Sequence, residues 1–203
     1  MIKVTNLDRA HNDLTDLIIK ENQNGADILN RTKDLIMSLS NHWVGEDATK
    51  NINKLINVHQ NLQTYMLTTL ESTKLGLESI TKLQEVRKAN GGGGQVGDIY
   101  STDTSFACII NDLPQTSEYF VDPEIRNDYN TLCSIEDDLK KFDSIFKNQT
   151  EEIMNNWQNG NNRDKIKADF DEIITASTTL ENTISEVKQE INTVVNNVDQ
   201  VMN

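Results

Sequence analysis

The chain has 203 residues, 32 Asp and Glu against 19 Lys and Arg, and a formal net charge of −13. No Lys/Arg cluster is present to meet a phosphate backbone or an anionic membrane surface, so nucleic acid is excluded as an expected partner. Hydrophobic residues make up 36% and aromatics 5% of the sequence, which suits a narrow helical core better than a sandwich or a doubly wound sheet.

The N-terminus, MIKVTNLDRAHNDL, lacks the apolar centre of a cleaved Sec signal, and the longest apolar run, Phe106 to Ile110, falls far short of the roughly 20 residues that span a bilayer. No integral membrane segment is expected. From there a stripe of Leu7, Ala10, Leu14, Leu17, Ile18, Ile28, Leu29, Thr32, Leu35, Ile36 and Leu39 recurs at helical spacing, weakened by the polar stretch KENQNG, residues 20 to 25. That stretch is expected to bend the helix or to leave a polar layer. After HWVGED a second stripe follows: Ile52, Leu55, Ile56, His59, Leu62, Met66, Thr69, Leu70, Leu77, Ile80 and Leu83. Residues 1–90 therefore read as a helical hairpin reversing at Trp43.

Residues 91–122 read as a linker. Gly91 to Gly94 end the second helix and make a flexible tether, because each glycine costs a helix interior about 1 kcal/mol. A helix of 35 to 40 residues is about 55 Å long, whereas some 33 linker residues reach about 110 Å when extended. The linker can thus return the chain along an antiparallel pair of hairpins.

Residues 123–203 form the second hairpin. Asp122 before Pro123 predicts an N-cap with proline in the first helical position. A stripe of Ile125, Tyr129, Leu132, Ile135, Leu139, Phe142, Phe146, Gln149, Ile153 and Trp157 leads to the turn composition NNWQNGNN, where Gly160 is free to adopt positive φ. The last stripe runs Ile166, Phe170, Ile173, Ser177, Leu180, Ile184, Val187, Ile191, Val194, Val198 and Val201. It reaches the end of the chain without a C-cap, as expected also of the targeting region of a longer protein. Only two prolines, Pro114 and Pro123, occur in the whole chain, which permits helices of this length.

Each hairpin has one apolar face and buries it by packing on the other. The fold class that follows is all-α: two long antiparallel hairpins packed as an elongated four-helix bundle. Each turn carries a Trp followed closely by a Gly. The indole of Trp43 is expected in the groove near the helix ends of the second hairpin, and Trp157 in the reverse arrangement; the alternative is that each caps the core of its own hairpin. Gly45 is expected where the reversal requires left-handed φ.

Chemistry is sparse. His11, His42 and His59 have no ligand spacing with one another or with the cysteines, and no Glu-x-x-His pair is present. The tetraglycine is not followed by Lys-Ser/Thr, so it is no phosphate loop. Acidic runs such as Glu136 to Asp138 read as a solvated helix face. Cys108 and Cys133 read as small apolar residues, outside any disulfide frame or metal site. No catalytic residue, metal or cofactor is expected, and the chain reads as a non-enzyme with a protein partner. Apolar residues beyond the stripes are Val44, Phe106, Ile109 and Ile110, expected to dock the linker onto the bundle or to touch a partner.

HWVGEDATK resembles the Trp-x-Gly turn of the WXG, or ESAT-like, helical-hairpin family of type VII secretion, and it lies midway along a segment of the right length. Residues 123–203 are similar in layout, although Trp157-Gln158-Asn159-Gly160 is one residue longer than the motif. Members of that family act as dimers of hairpins, so the chain resembles such a dimer fused into one polypeptide. The resemblance implies an adaptor or targeting chaperone, or a targeting domain, for a secreted substrate such as an LXG-type toxin, with Trp43, Gly45, Trp157 and Gly160 as the turn and partner-binding residues. It also implies a bacterial cytoplasmic or exported location without a cleaved leader. The family's export signal, Tyr-x-x-x-Asp/Glu, is absent: Tyr65, Tyr100, Tyr119 and Tyr129 are followed four residues on by Thr69, Thr104, Pro123 and Cys133. Phe120 and Glu124 form a loose aromatic variant of it. The alternative reading is a structural coiled-coil protein that self-associates into a homo-oligomer.

Overall fold

A computed structural model describes residues 3–4, 6–99, 111–159 and 161–202. The fold is all-α, built from two helical hairpins. Strand β1 (Lys3–Val4) precedes α1 (Leu7–Asp16), a π-helical turn (Leu17–Glu21) and α2 (Asn22–His42). Strand β2 (Trp43–Val44) leads into α3 (Glu46–Ala89). The second hairpin repeats the order with β3 (Phe120–Val121), α4 (Ile125–Asn156), β4 (Trp157–Asn159) and α5 (Asn161–Met202). No helix among the described residues is long and apolar enough to cross a membrane.

The first helix departs from α geometry at Leu17–Glu21, which overlaps the polar stretch at residues 20 to 25 only at Lys20 and Glu21. Leu17 O accepts the Asn22 backbone N–H, the wider i→i+5 closure, and Asn22 Nδ2 donates to Ile18 O at 3.0 Å. The helix continues, and the stripe resumes at Ile28.

The compact units cut across the hairpins. One is drawn from Met1–Ala26, Thr64–Ser105 and Phe142–Thr175, the other from Asp27–Gln63, Phe106–Lys141 and Ala176–Asn203. Each is a four-helix bundle containing a piece of all four long helices.

In the first unit the stripe residues Leu14, Ile18, Met66, Leu77, Ile80, Ile153 and Ile166 are at most 1% exposed. Burying each such side chain contributes about 1.5–3 kcal/mol. Phe142 stacks on Phe146 at 5.6 Å between centroids, and Phe146 meets Phe170 edge-on at 5.7 Å. Gly25, read from the sequence as part of a polar patch, is buried: a Cβ there would lie 1.9 Å from Met66 Cε, so its absence makes room for the methionine. One buried acid, Asp169, gathers two hydroxyl groups inside the unit. Ser72 Oγ donates to the buried Asp169 carboxylate, and Thr69 Oγ1 donates to Asp169 O at 3.3 Å.

The tetraglycine, expected as a flexible tether, makes a backbone contact to the end of α3. Gly92 N donates to Arg87 O at 2.9 Å, and the following residues lie against α1 and α3. His11 Nε2 donates to Asp98 O at 2.9 Å, Gly97 N donates to Gln84 Oε1 at 3.0 Å, and Gln84 Nε2 holds Asp8 at 3.0 Å. Arg87 donates to Asp8 at 2.7 Å and so keeps that carboxyl below its ordinary range. Glycine is required at position 97, where a Cβ would meet the His11 ring at 2.2 Å.

In the second unit the core comprises Ile28, Leu35, Ile36, Leu39, Ile52, Leu55, Ile56, Leu132, Ile135, Leu139, Leu180 and Ile184, all buried. His59 is 2% exposed and donates from Nε2 to Leu29 O at 2.9 Å; Nδ1 has no partner. Burial holds its pKa down, so the ring is neutral. Glu136, read from the sequence as part of a solvated face, is 5% exposed and bound by Lys140 at 2.8 Å and by Lys188. Burial pushes its pKa up, but those two ammonium groups outweigh burial and leave it lowered. Arg31 joins α2 to α4 through Asp138 at 2.6 Å. Cys133 is a free thiol, half-buried; Cys108 lies outside the described residues.

Candidate interaction site

Trp43 and Gly45 sit at one end of the second unit. Helix α2 ends at His42, and β2 runs antiparallel to β3, pairing Trp43 with Val121 and Val44 with Phe120. Asp122 N extends the ladder by donating to His42 O at 2.8 Å. The reversal answers why a tryptophan stands in the turn: the paired backbone is fixed against the chain entering α4, and the indole is 2% exposed. Gly45 has φ +149°, rarely adopted by residues with a side chain, and a Cβ there would stand 3.1 Å from the Tyr119 ring. Gly45 O then accepts from Thr49 N at 2.9 Å, which opens α3.

Beneath this turn, Asp128 is 4% exposed and joins two elements. Its carboxylate accepts from Ser38 Oγ at 2.6 Å and from His42 Nδ1 at 2.7 Å. Serine, histidine and aspartate here lack the arrangement of a nucleophilic triad, because one ring nitrogen, His42 Nδ1, faces both the Asp128 carboxylate and Ser38 Oγ (3.5 Å), and the hydroxyl hydrogen-bonds to the carboxylate. The cluster ties the end of α2 to the first turn of α4. Asp122 caps that helix as its sequence predicts, accepting from Glu124 N at 2.8 Å, although regular helix starts at Ile125.

Trp157 lies in the first unit and is fully buried. Strand β4 pairs with β1, matching Val4 to Trp157 and Lys3 to Asn159 with a bulge between. A Cβ on Gly76 of α3 would lie 3.4 Å from Trp157 Cζ3 and 3.6 Å from Leu14 Cδ1, so the second hairpin's indole packs on the first hairpin. Arg163 closes the turn by donating to Trp157 O, and to Met154 O at 3.4 Å. The indole N–H has no partner.

The pairing of the Trp turns with β1 and β3 is what sequence reasoning missed. A signal was present in FVDP, which places two β-favouring residues directly before the capping Asp122, whereas β1, Lys3–Val4, offers only its valine. Of the apolar residues outside the stripes, Val44 is half-buried, and the structure brings it opposite Phe120, which is 50% exposed. Glu124 is exposed at the α4 entry. Phe106, Ile109, Ile110 and Gly160 lie outside the described residues. Among the described residues no group of three or more His, Cys, Asp or Glu could hold a metal ion. Comparison with protein-family models, curated proteins and solved structures finds no match.

Proposed function

We propose that this protein is a non-enzymatic interaction protein of a type VII secretion system, acting as an adaptor or targeting chaperone, or as a targeting domain, for a secreted toxin or other substrate. The observation that supports the reading most is the Trp43 turn. A buried indole, a positive-φ glycine at Gly45 and a short ladder to β3 make a fixed reversal between two long helices, with apolar side chains left at the surface beside it. A fixed turn with an apolar margin suits recognition by another protein more than binding of a small molecule. The Phe120 and Glu124 variant of an export signal also falls beside this turn, since Phe120 pairs with Val44.

Co-expression with a candidate substrate that carries a helical N-terminal targeting domain tests the reading. A stable complex of the two chains by size exclusion with light scattering is the expected result. Candidate cargo that stays monomeric beside the protein overturns the adaptor role, and a protein that elutes only as multiples of itself favours a self-associating bundle.

A further inference from the structure

Among the described aromatic residues, only Tyr119 and Phe120 are exposed, at 77% and 50%, and they are adjacent in sequence. The tryptophans and Phe142, Phe146 and Phe170 are buried, and Tyr65 and Tyr129 are half-buried. Both exposed rings belong to the Trp43 turn: Phe120 pairs with Val44, and the Tyr119 ring covers Gly45. Phe120 is held opposite Val44 by the ladder and the Tyr119 ring stands at Gly45, which sets two exposed aromatics beside one turn, unlike singly scattered apolar residues.

The rim of that patch is acidic. Glu118 precedes the pair, Glu124 follows it, and Glu46 and Asp47 open α3 directly after Gly45; all four are exposed. Residues 111–124 contain no Lys or Arg, and Lys50 is the one cation in the facing stretch 43–50. Aromatic faces and carboxylates attract the same class of group, since a Lys or Arg can pair with the acids while its charge or stem lies on a ring.

We propose that Val44, Tyr119 and Phe120, rimmed by Glu46, Glu118 and Glu124, form a docking surface for a partner segment in which Lys or Arg alternates with apolar side chains. The proposal rests on the reading that the protein binds another protein, and adds the surface used and the chemistry of what it takes. Two other occupants fit poorly by charge. A second copy of this chain carries a net charge of −13, and the chain's own apolar run at residues 106–110 contains no cation.

Full-length protein titrated with fluorescein-labelled peptides, read by anisotropy, tests it. The probes are a short amphipathic Leu/Lys peptide, a Ser/Lys peptide of equal charge and a Leu/Glu peptide. The Leu/Lys peptide binds, and the Tyr119→Ser/Phe120→Ser and Glu46→Gln/Glu118→Gln double variants each weaken it about tenfold or more. An Asp137→Asn/Glu190→Gln control, which removes the same charge from exposed positions of α4 and α5, leaves affinity unchanged. Circular dichroism confirms that each variant keeps its helicity; should the aromatic pair fail to fold, Phe120→Lys replaces it. The proposal is overturned when the Leu/Lys peptide does not bind, when Ser/Lys binds as tightly, or when the control variant weakens binding equally. A cargo complex that survives the Tyr119→Ser/Phe120→Ser change removes this surface and leaves the adaptor reading standing; loss of every cargo complex with peptide binding intact does the reverse.

Discussion

Single residues carry more of this structure than their number suggests. Gly45 is the clearest: the reversal needs its φ of +149°, and the Tyr119 ring occupies the space a side chain would take. Gly45→Ala is expected to cost about 1–3 kcal/mol from backbone strain, seen as a lowered midpoint in thermal unfolding. An unchanged midpoint would mean the turn tolerates another geometry. Trp43 and Gly45 were legible in the sequence because a costly side chain in a turn needs a receiving surface. Gly25, Gly76 and Gly97 were not, because a glycine that admits a methionine, an indole or a histidine ring looks the same in sequence as one that breaks a helix. His59 belongs to the same class. Its place on a stripe predicted burial, but the Leu29 carbonyl that accepts its hydrogen bond comes from another helix.

At the scale of elements, the stripes were readable because burial follows the helical period. Ile125, Leu132, Ile135 and Leu139 are fully buried, as spacing alone predicts. What the period cannot tell is which polar residues join the core. Glu136 stands one residue past Ile135 and reads as solvated, yet Lys188 of α5 crosses to it and the pair is drawn inward. Its pH dependence follows from the lowered pKa. The unfolded chain binds the proton more readily, so Glu136 stabilises the fold above its ordinary value of 4.5, and that contribution is lost as pH falls through the lower folded value. Glu136→Gln is therefore expected to destabilise the protein by about 1–3 kcal/mol at neutral pH, with the difference from wild type shrinking below pH 4.5. Urea unfolding at a series of pH values measures it; a difference that is constant with pH would remove the charge from the explanation. Neutral His59 acts with the same sign, since protonation below its ordinary 6.5 favours the unfolded chain.

At the scale of the whole molecule, the order of strand, helix, Trp strand and helix occurs twice, and the pairing is reciprocal. In one unit β1, ahead of the first hairpin, pairs with the turn of the second; in the other, β3, ahead of the second hairpin, pairs with the turn of the first. The duplication was legible in the stripes and the two Trp-Gly turns. The reciprocity was not, because strands of two or three residues carry too little pattern to find their partners. This arrangement leaves one turn with an exposed aromatic margin and a buried indole beneath it, and the secretion reading depends on that turn meeting another protein. Affinity purification of the full-length tagged protein from its native host, followed by mass spectrometry, tests this most directly. The account predicts recovery of a secreted protein with a helical N-terminus, or of a type VII secretion component, and its loss from a Val44→Asp form that keeps its helicity. Recovery of the protein alone, or only with copies of itself, would contradict it.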